Sequence, residues 1–525
     1  MAFTFQINRD VKFNHNEALL KKAEENRPEI FKTKVVPKRI VELVKDETKL
    51  NGWGVKESEL SPGNLSSLGM KRDDSVILDF GEHCVGRFSV DISSVGSPMD
   101  APLYMRIRFG EIPAELAGDS SSYEGWLSKS WIQEEYIHLD ELPAKLSLPR
   151  RYSFRYVELK VLDTSPKWQA VFENPEVVKE TSADYGNLKE ISVEEELKKI
   201  YEVSVKTLAE CMQDVFEDGP KRDRRLWIGG DLRLQALANY VTFDNVELVK
   251  RCLYLFGAMN TTEGKIPANV FVKPSCLPDD TFLFDYSLFF ISVLYDYEMA
   301  HKDMEFLKEL FPVAKAQMEL SLSMVDETGR LVCREEYPVF IDWSNEFNKD
   351  TAGQGVMIYV LKQFIALSKL MGEKTEAYED VLEKMISYAK KILFSPERGM
   401  FLSGEEQECN LASQVWMVLA HVMSEEENKA IMTRAVKELF PVKGIATPYM
   451  YHHVTEALFE AGLQEEAIRL LKSYWGEMLR LGADTFWEAF EPENPDYSPY
   501  GNPIVSSYCH AWSCTPVYLI HKYLL

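Results

Sequence analysis

The chain is short of organised cysteine. Its 525 residues hold eight, at 84, 211, 252, 276, 333, 409, 509 and 514, and none forms a Cys-x-x-Cys pair or stands at zinc-ligand spacing from a histidine. A disulfide framework and a structural zinc are thereby excluded, and neither metal nor cofactor is expected. Cys509-His510 is the nearest approach to a reactive pair, and no other feature supports thiol chemistry. Positive charge is scarce as well, with 59 Lys and Arg against 83 Asp and Glu and a formal charge of -24. A surface of that sign repels phosphate backbones and anionic lipid, so nucleic acid and membranes are not expected as partners. Long apolar runs are also missing. No stretch reaches the length of a membrane span, and the first twenty residues lack a basic segment followed by an apolar one. The expectation is a soluble, cytoplasmic protein.

Core material is plentiful, at 46% apolar and 12% aromatic residues, enough for two domains in a chain of this length. From about residue 60 to 180 short β-rich runs recur, among them SVILDF, RFSVDIS, LYMRIRF, EEYIHL and SFRYVELKVL, separated by Gly, Pro, Ser and Asp clusters. They predict an antiparallel, jelly-roll-like β-sandwich. Trp126, Trp131, Arg150, Arg151 and Arg155 fall in this region, and packing and pairing at a domain interface is a better reading for them than sugar binding. Residues 15 to 60 mix a helical run with a strand at RIVELV and are left unassigned.

Near residue 185 the apolar period lengthens to that of helices. About twelve helical stretches start near 193, 231, 245, 281, 303, 352, 375, 409, 426, 448, 464 and 506; Pro516 must either kink the last or start it. Connections alternate between very short, such as TFD at 242 to 244 and MGE at 371 to 373, and long, as at 216 to 230 or 482 to 505. Helices joined by short loops run antiparallel, so all the long loops emerge at one end. Six such hairpins predict an (α/α)6 barrel. The expected organisation is an N-terminal β-sandwich domain, 1–185, followed by a barrel catalytic domain, 186–525.

The long loops carry the unusual chemistry. DGPKRDRRLWIGGD (218 to 231) holds Asp218, Arg222, Asp223, Trp227 and Asp231, EEYPVFIDWSNEFNKD holds Asp342 and Trp343, and GADTFWEAFEPENPDYSPYG holds Trp487 and Glu488. Rings that stack on sugar CH faces and carboxylates that bond hydroxyls together suit a carbohydrate. Two carboxylates flanking a glycosidic bond are the usual machinery of its hydrolysis, and the candidate pair is Asp223 and Glu488. Arg222 and Arg224 beside Asp223 favour its charged form, so an acid role requires those arginines to be engaged elsewhere. For Asp342 a cap or loop anchor competes evenly with a substrate contact.

DGPKRDRRLWIGGD, IDW at 341 to 343, KDTAGQG at 349 to 355, GADTFWE at 482 to 488 and SYCHAWS at 507 to 513 together resemble the catalytic domain of the α-L-rhamnosidases of glycoside hydrolase family 78. FGE at 109 to 111, YEGWLSKSWIQEE at 123 to 135 and LPRRYSFRYVE at 148 to 158 resemble the β-sandwich that precedes it in a compact bacterial subgroup. The resemblance runs from about residue 75 to the end. It implies an inverting hydrolase with Asp223 as general acid, Glu488 as general base and His510 as a sugar contact. Asp218, Asp231 and Trp227 match positions that hold the rhamnose, and Arg222, Asp342, Trp343 and Trp487 complete the expected binding set. The chain departs from the pattern in having Asp for Glu at 223, a doubled Gly229-Gly230 before Asp231, and Cys509 where Asn is commoner. The expected partner is a small rhamnoside or oligosaccharide, with the oligomeric state open, a homodimer included. The rival readings are another glycosidase or a phosphorylase on the same barrel, or an inactive carbohydrate-binding protein. A phosphorylase needs cations where the base otherwise sits, and no Lys or Arg stands near Glu488 in the sequence.

Overall fold

A computed structural model of the protein describes residues 10–222 and 224–525. Asp223, the expected general acid, lies outside the described residues. The described chain begins with α1 (Glu17–Glu25), capped by the Asn16 side chain, which accepts from the amides of Ala18 and Leu19. Nine antiparallel strands follow: β1 (Phe31–Val35), β2 (Arg39–Lys45), β3 (Trp53–Glu57), β4 (Ser75–Gly96), β5 (Leu103–Gly110), β6 (Glu134–Leu139), β7 (Ala144–Ser147), β8 (Tyr152–Asp163) and β9 (Trp168–Thr181). The short helix α2 (Pro113–Ala117) interrupts them after β5. RIVELV, left unassigned from the sequence, lies in β2.

The sheet runs β1-β9-β4-β8-β5-β6, with β2 bridging β3 and β4, and β7 added to β4. The 22-residue β4 is its spine. Its inward residues Leu78, Phe80, Phe88, Val90 and Ile92 join Val157, Leu159 and Trp168 in one core, following the period of two that a half-buried strand imposes. Its pairing with β8 slips between Asp79 and Cys84, a bulge that bends the strand. Gly81 sits there at φ +77°, a conformation that favours glycine, and its amide donates to the Asp79 carboxylate at 2.7 Å.

Twelve helices, counted among the described residues, make up the remainder: α3 (Glu195–Cys211), α4 (Arg233–Tyr240), α5 (Val246–Ala258), α6 (Phe284–His301), α7 (Met304–Leu322), α8 (Asp350–Leu370), α9 (Glu376–Tyr388), α10 (Leu411–Leu419), α11 (Glu425–Leu439), α12 (Pro448–Glu460), α13 (Gln464–Arg480) and α14 (Pro516–Leu524). The last starts ten residues later than the sequence suggested. Pro516 occupies its first turn, where a missing N–H costs nothing, and the SYCHAWS segment ahead of it is loop ending in a 3-10 turn at Ala511–Ser513.

The helices alternate in character. α10 buries every residue and α12 nearly every one, whereas α9 buries only Met385 and α11 only four. A helix that is apolar on all sides belongs inside, and one with a single apolar stripe belongs outside. Accordingly α4, α6, α8, α10, α12 and α14 each contact the next, and α14 contacts α4. The loops leading into these inner helices are the long ones, at 212–232, 259–283, 323–349, 389–410, 440–447 and 481–515. α1 packs on α5, burying Leu19 and Ala23, with Arg251 Nη1 donating to the Ala23 carbonyl at 2.7 Å. Among the described residues no helix is long and apolar enough to cross a membrane.

Candidate active site

Three of the long loops and the start of α6 converge on a cavity of about 50 Å³. It is lined by Asp218, Trp227 and Asp231 from 212–232, Leu283 and Tyr286 at α6, Phe340 and Trp343 from 323–349, and Glu488, Tyr500, His510 and Trp512 from 481–515.

Each wall has a local cause. The amide of Asp218 donates to the Arg225 carbonyl and its carboxylate accepts from the Arg225 amide, both at 3.1 Å, so these two residues are tied to each other. The chain then forms β10 (Leu226–Trp227), paired with β11 (Asn269–Phe271), which in turn pairs with β12 (Leu277–Pro278). This small sheet presents Trp227, with the Arg225 guanidinium 5.3 Å from its ring and held by Asp279 at 3.0 Å. The doubled glycine is a packing requirement. A Cβ on Gly229 would stand 2.2 Å from Cδ1 of Tyr286, and one on Gly230 would stand 2.8 Å from Cδ2 of Tyr449. Two rings press on consecutive residues, and the turn they shape delivers Asp231 to the cavity, with its Oδ1 3.6 Å from His510 Nδ1.

Glu488 is buried, and its carboxylate receives hydrogen bonds from the Arg222 guanidinium and the Tyr500 hydroxyl. Arg222 also donates from Nε to the Val505 carbonyl at 2.8 Å and lies 4.1 Å from the centre of the Tyr500 ring. The sequence reading that no cation stands near Glu488 is therefore corrected: Arg222 is remote in sequence and adjacent in space. Residues 486–488 pair back on 507–510, with the Glu488 amide on the Ser507 carbonyl at 3.1 Å and the His510 amide on the Phe486 carbonyl at 2.9 Å. Trp512 Nε1 donates to the Glu488 carbonyl, and the Ala511 amide to the Asp218 carbonyl, both at 2.8 Å. These bonds lock the first and last site loops together.

Asp218, Asp231, Trp227, Trp343, Glu488 and His510 thus meet as their sequence positions suggested, with Arg222 behind Glu488. Arg222 was expected to touch substrate and instead backs Glu488, and two more expected contacts stand behind the wall. Asp342 is 0% exposed and its carboxylate accepts from the amides of Ser344, Ala446 and Thr447, at 2.8, 3.0 and 3.1 Å, and from the Thr447 hydroxyl. It anchors the loop that carries Trp343 to the start of α12; burial raises its pKa, against the pull of those bonds. Trp487 is buried against Phe490 and Tyr508, and its carbonyl accepts from the Ser513 hydroxyl. Arg224 is occupied by the carbonyls of Pro220 and Arg151, at 2.9 and 2.7 Å. Cys509 turns inward, its sulfur 4.0 Å from that of Cys211, so it offers the cavity no polar group.

Tyr286, Phe340 and Tyr500 complete the wall without having been singled out from the sequence. Phe340 and Tyr500 left a trace there, in the aromatic EEYPVFIDW and PDYSPYG segments, and Tyr286 left none. Trp126, Leu127, Ser128 and Trp131, from the sheet region, line a second and larger cavity of about 540 Å³, which shares Trp227, Trp343 and Tyr500 with the first. Trp126 and Trp131 therefore stand where the two regions meet, and beside the site. Among the described residues no group of three His, Cys, Asp or Glu could hold a metal ion.

Residues 37–179 match the model of the glycosyl hydrolase family 78 α-rhamnosidase N-terminal domain, and residues 191–524 match that of the bacterial α-L-rhamnosidase six-hairpin glycosidase domain. Among solved structures, a rhamnosidase from Klebsiella oxytoca with rhamnose bound is 44% identical at a TM-score of 0.95, covering 98% of this chain and 100% of its own. A family 78 rhamnosidase of Bacillus sp. GL1 is 19% identical at a TM-score of 0.72, over 89% of this chain and 49% of its own. The α-L-rhamnosidase of Streptomyces avermitilis, complexed with L-rhamnose, is 16% identical at a TM-score of 0.67, over 94% of this chain and 44% of its own. These last two are alike in fold. No curated protein matches the chain.

Proposed function

The chain belongs to the α-L-rhamnosidases of glycoside hydrolase family 78, and from that premise we propose an inverting hydrolase that releases terminal α-L-rhamnose from small rhamnosides or oligosaccharides. The observation that carries the reading is Glu488, held by Arg222 and Tyr500 in a cavity walled by Trp227, Trp343 and Trp512 and edged by Asp218, Asp231 and His510. Rings take the sugar's CH faces, the two Asp and His510 take its hydroxyls, and Glu488 takes the proton from the water that attacks the anomeric carbon. Asp223, next in the chain after Arg222, is assigned the proton that the leaving oxygen needs. The larger cavity, sharing three aromatic walls with the small one, is where that leaving group departs.

We read the helical region as an (α/α)6 barrel, 186–525, with the sheet region, 1–185, as a β-sandwich before it. The cyclic packing of the six inner helices supports the first, and the long bent β4 supports the second. A phosphorylase is disfavoured because the cation beside Glu488 already serves that carboxylate and the Val505 carbonyl, so a phosphate there meets a negative charge.

Proton NMR during hydrolysis of p-nitrophenyl α-L-rhamnopyranoside tests the reading. β-L-rhamnose should appear first and mutarotate afterwards, because a water-activating base delivers oxygen to the face opposite the leaving group. α-L-rhamnose as the first product would show a covalent route through Glu488. No cleavage of this substrate, with cleavage of another glycoside, would replace the substrate assignment.

A further inference from the structure

Lys221 is 0% exposed, yet no part of the chemistry assigned above uses it. Its ammonium donates to Glu115 Oε2 and to the Ser506 carbonyl, both at 2.8 Å, and stands 3.9 Å from Glu111 Oε2. The three partners belong to different parts of the chain. Glu111 and Glu115 come from β5's end and α2 in the N-terminal sheet region, and Ser506 from the loop that carries Glu488 and His510. Lys221 itself adjoins Arg222. Glu111 makes a second link to the same loop, accepting from the Tyr508 amide at 2.8 Å. It is fixed from behind by Ser153 Oγ at 2.8 Å and by contact with His83 Nε2 at 3.1 Å. Against burial, the His83 bond and the Lys221 charge hold the Glu111 carboxyl below the ordinary range. Burial pushes the Glu115 carboxyl up, with Lys221 opposing.

A buried ammonium shared by two carboxylates and a carbonyl is an expensive device for mere cohesion, since well-packed apolar groups commonly hold a core as firmly. What it provides is direction, through short bonds of fixed geometry. It sets the height of Arg222 relative to Val505 and Ser506, and so sets where Arg222 holds Glu488. Asp218 and Asp231 do not depend on it. The first is closed on Arg225 and tied to Ala511, and the second is set by the rings around Gly229 and Gly230.

We propose that Lys221, gripped by Glu115 and Glu111 of the sheet region, is a positioning residue that aligns Glu488 with the anomeric carbon, which makes the sheet region a working part of the active site. The inference rests on the rhamnosidase reading with Glu488 as base. The test is the Lys221→Met/Glu115→Met double variant, which removes both charges together and preserves volume, so that folding is kept while the directed link to Ser506 is lost. A displacement of the base by about an ångström lowers kcat by about tenfold to a hundredfold. KM and the inhibition constant of L-rhamnose should stay within about twofold, since the sugar-holding groups are unmoved. Glu115→Gln keeps an acceptor for the ammonium and should retain kcat within about threefold. A purely structural role would not split kcat from rhamnose affinity. A double variant with kcat within threefold of the parent, or with kcat and rhamnose affinity lost together, overturns the proposal. If the double variant does not fold, Glu115→Met is judged by the same criterion. A parent enzyme that leaves p-nitrophenyl α-L-rhamnoside intact would instead overturn the rhamnosidase reading itself.

Discussion

Glu488→Gln is the sharpest perturbation of the proposed chemistry, because it removes a charge and a base while changing almost nothing in shape. The amide oxygen can keep the Arg222 donors, and the amide nitrogen can donate to Tyr500 once that hydroxyl turns to accept. The buried Arg222–Glu488 ion pair becomes a bond between a charge and a neutral amide, a loss of about 3 to 5 kcal/mol, against a total stability of about 5 to 15 kcal/mol. The variant therefore folds. The chemistry fares differently. A general base contributes about 10² to 10⁴ in rate, equivalent to about 2.7 to 5.4 kcal/mol of barrier at 1.36 kcal/mol per decade. Water needs that base whatever group departs, so the loss should be as large on p-nitrophenyl α-L-rhamnoside as on a rhamnosyl sugar. The assay is kcat on both substrates beside a thermal melt. A variant that still melts cooperatively and keeps kcat within about tenfold would refute the role given to Glu488.

Arg222→Met removes the guanidinium that grips Glu488 and the Val505 carbonyl, a charged hydrogen bond of about 1.5 to 3 kcal/mol, so kcat should fall about ten- to a hundred-and-fifty-fold. Steady-state kinetics checks this, and an unchanged kcat would show that the arginine does not orient the base. Asp223→Asn should lose far less on p-nitrophenyl rhamnoside, whose phenolate departs unaided, than on a rhamnosyl sugar, and equal losses on the two would remove Asp223 from the acid role. Gly229→Ala drives a methyl into Tyr286, and overpacking of this kind costs about 1 to 3 kcal/mol, which thermal melting would register as a lowered midpoint. Asp79 is fully buried, and despite burial its bonds from Arg155, Gly81 and Arg39 depress its pKa below the ordinary 3.8. A depressed acid contributes stability that is present above the unfolded pKa and lost as pH falls through the folded one. Asp79→Asn should therefore unfold at lower urea at pH 7 and lose less stability than the parent below about pH 4; parallel curves would contradict this.

The amino-acid sequence by itself determined the parts of this protein that rest on local physics. Short β-rich runs from about residue 60 to 180 predict strands, and a helical period from about residue 193 predicts helices. Eleven of the twelve helix starts fall within about three residues of where the apolar pattern placed them, and the twelfth was displaced by a single proline. Alternation of loop length put the polar, aromatic loops at one end, the residue types in those loops named Asp218, Trp227, Asp231, Trp343 and Glu488, and the family resemblance added His510; all six line one cavity. What the sequence could not decide was direction. Asp342 and Trp487 have the composition of site residues, yet one is consumed by three backbone amides and the other by ring packing. Which way a loop side chain points depends on hydrogen-bond partners a hundred residues away, and no local period encodes them. For the same reason tertiary structure alone placed Arg222 on Glu488, across 266 residues, and joined Lys221 to Glu115 across 106. A buried charge must find its counter-charge wherever the folded chain brings one within reach, because leaving it unpaired costs more than the loop can spare.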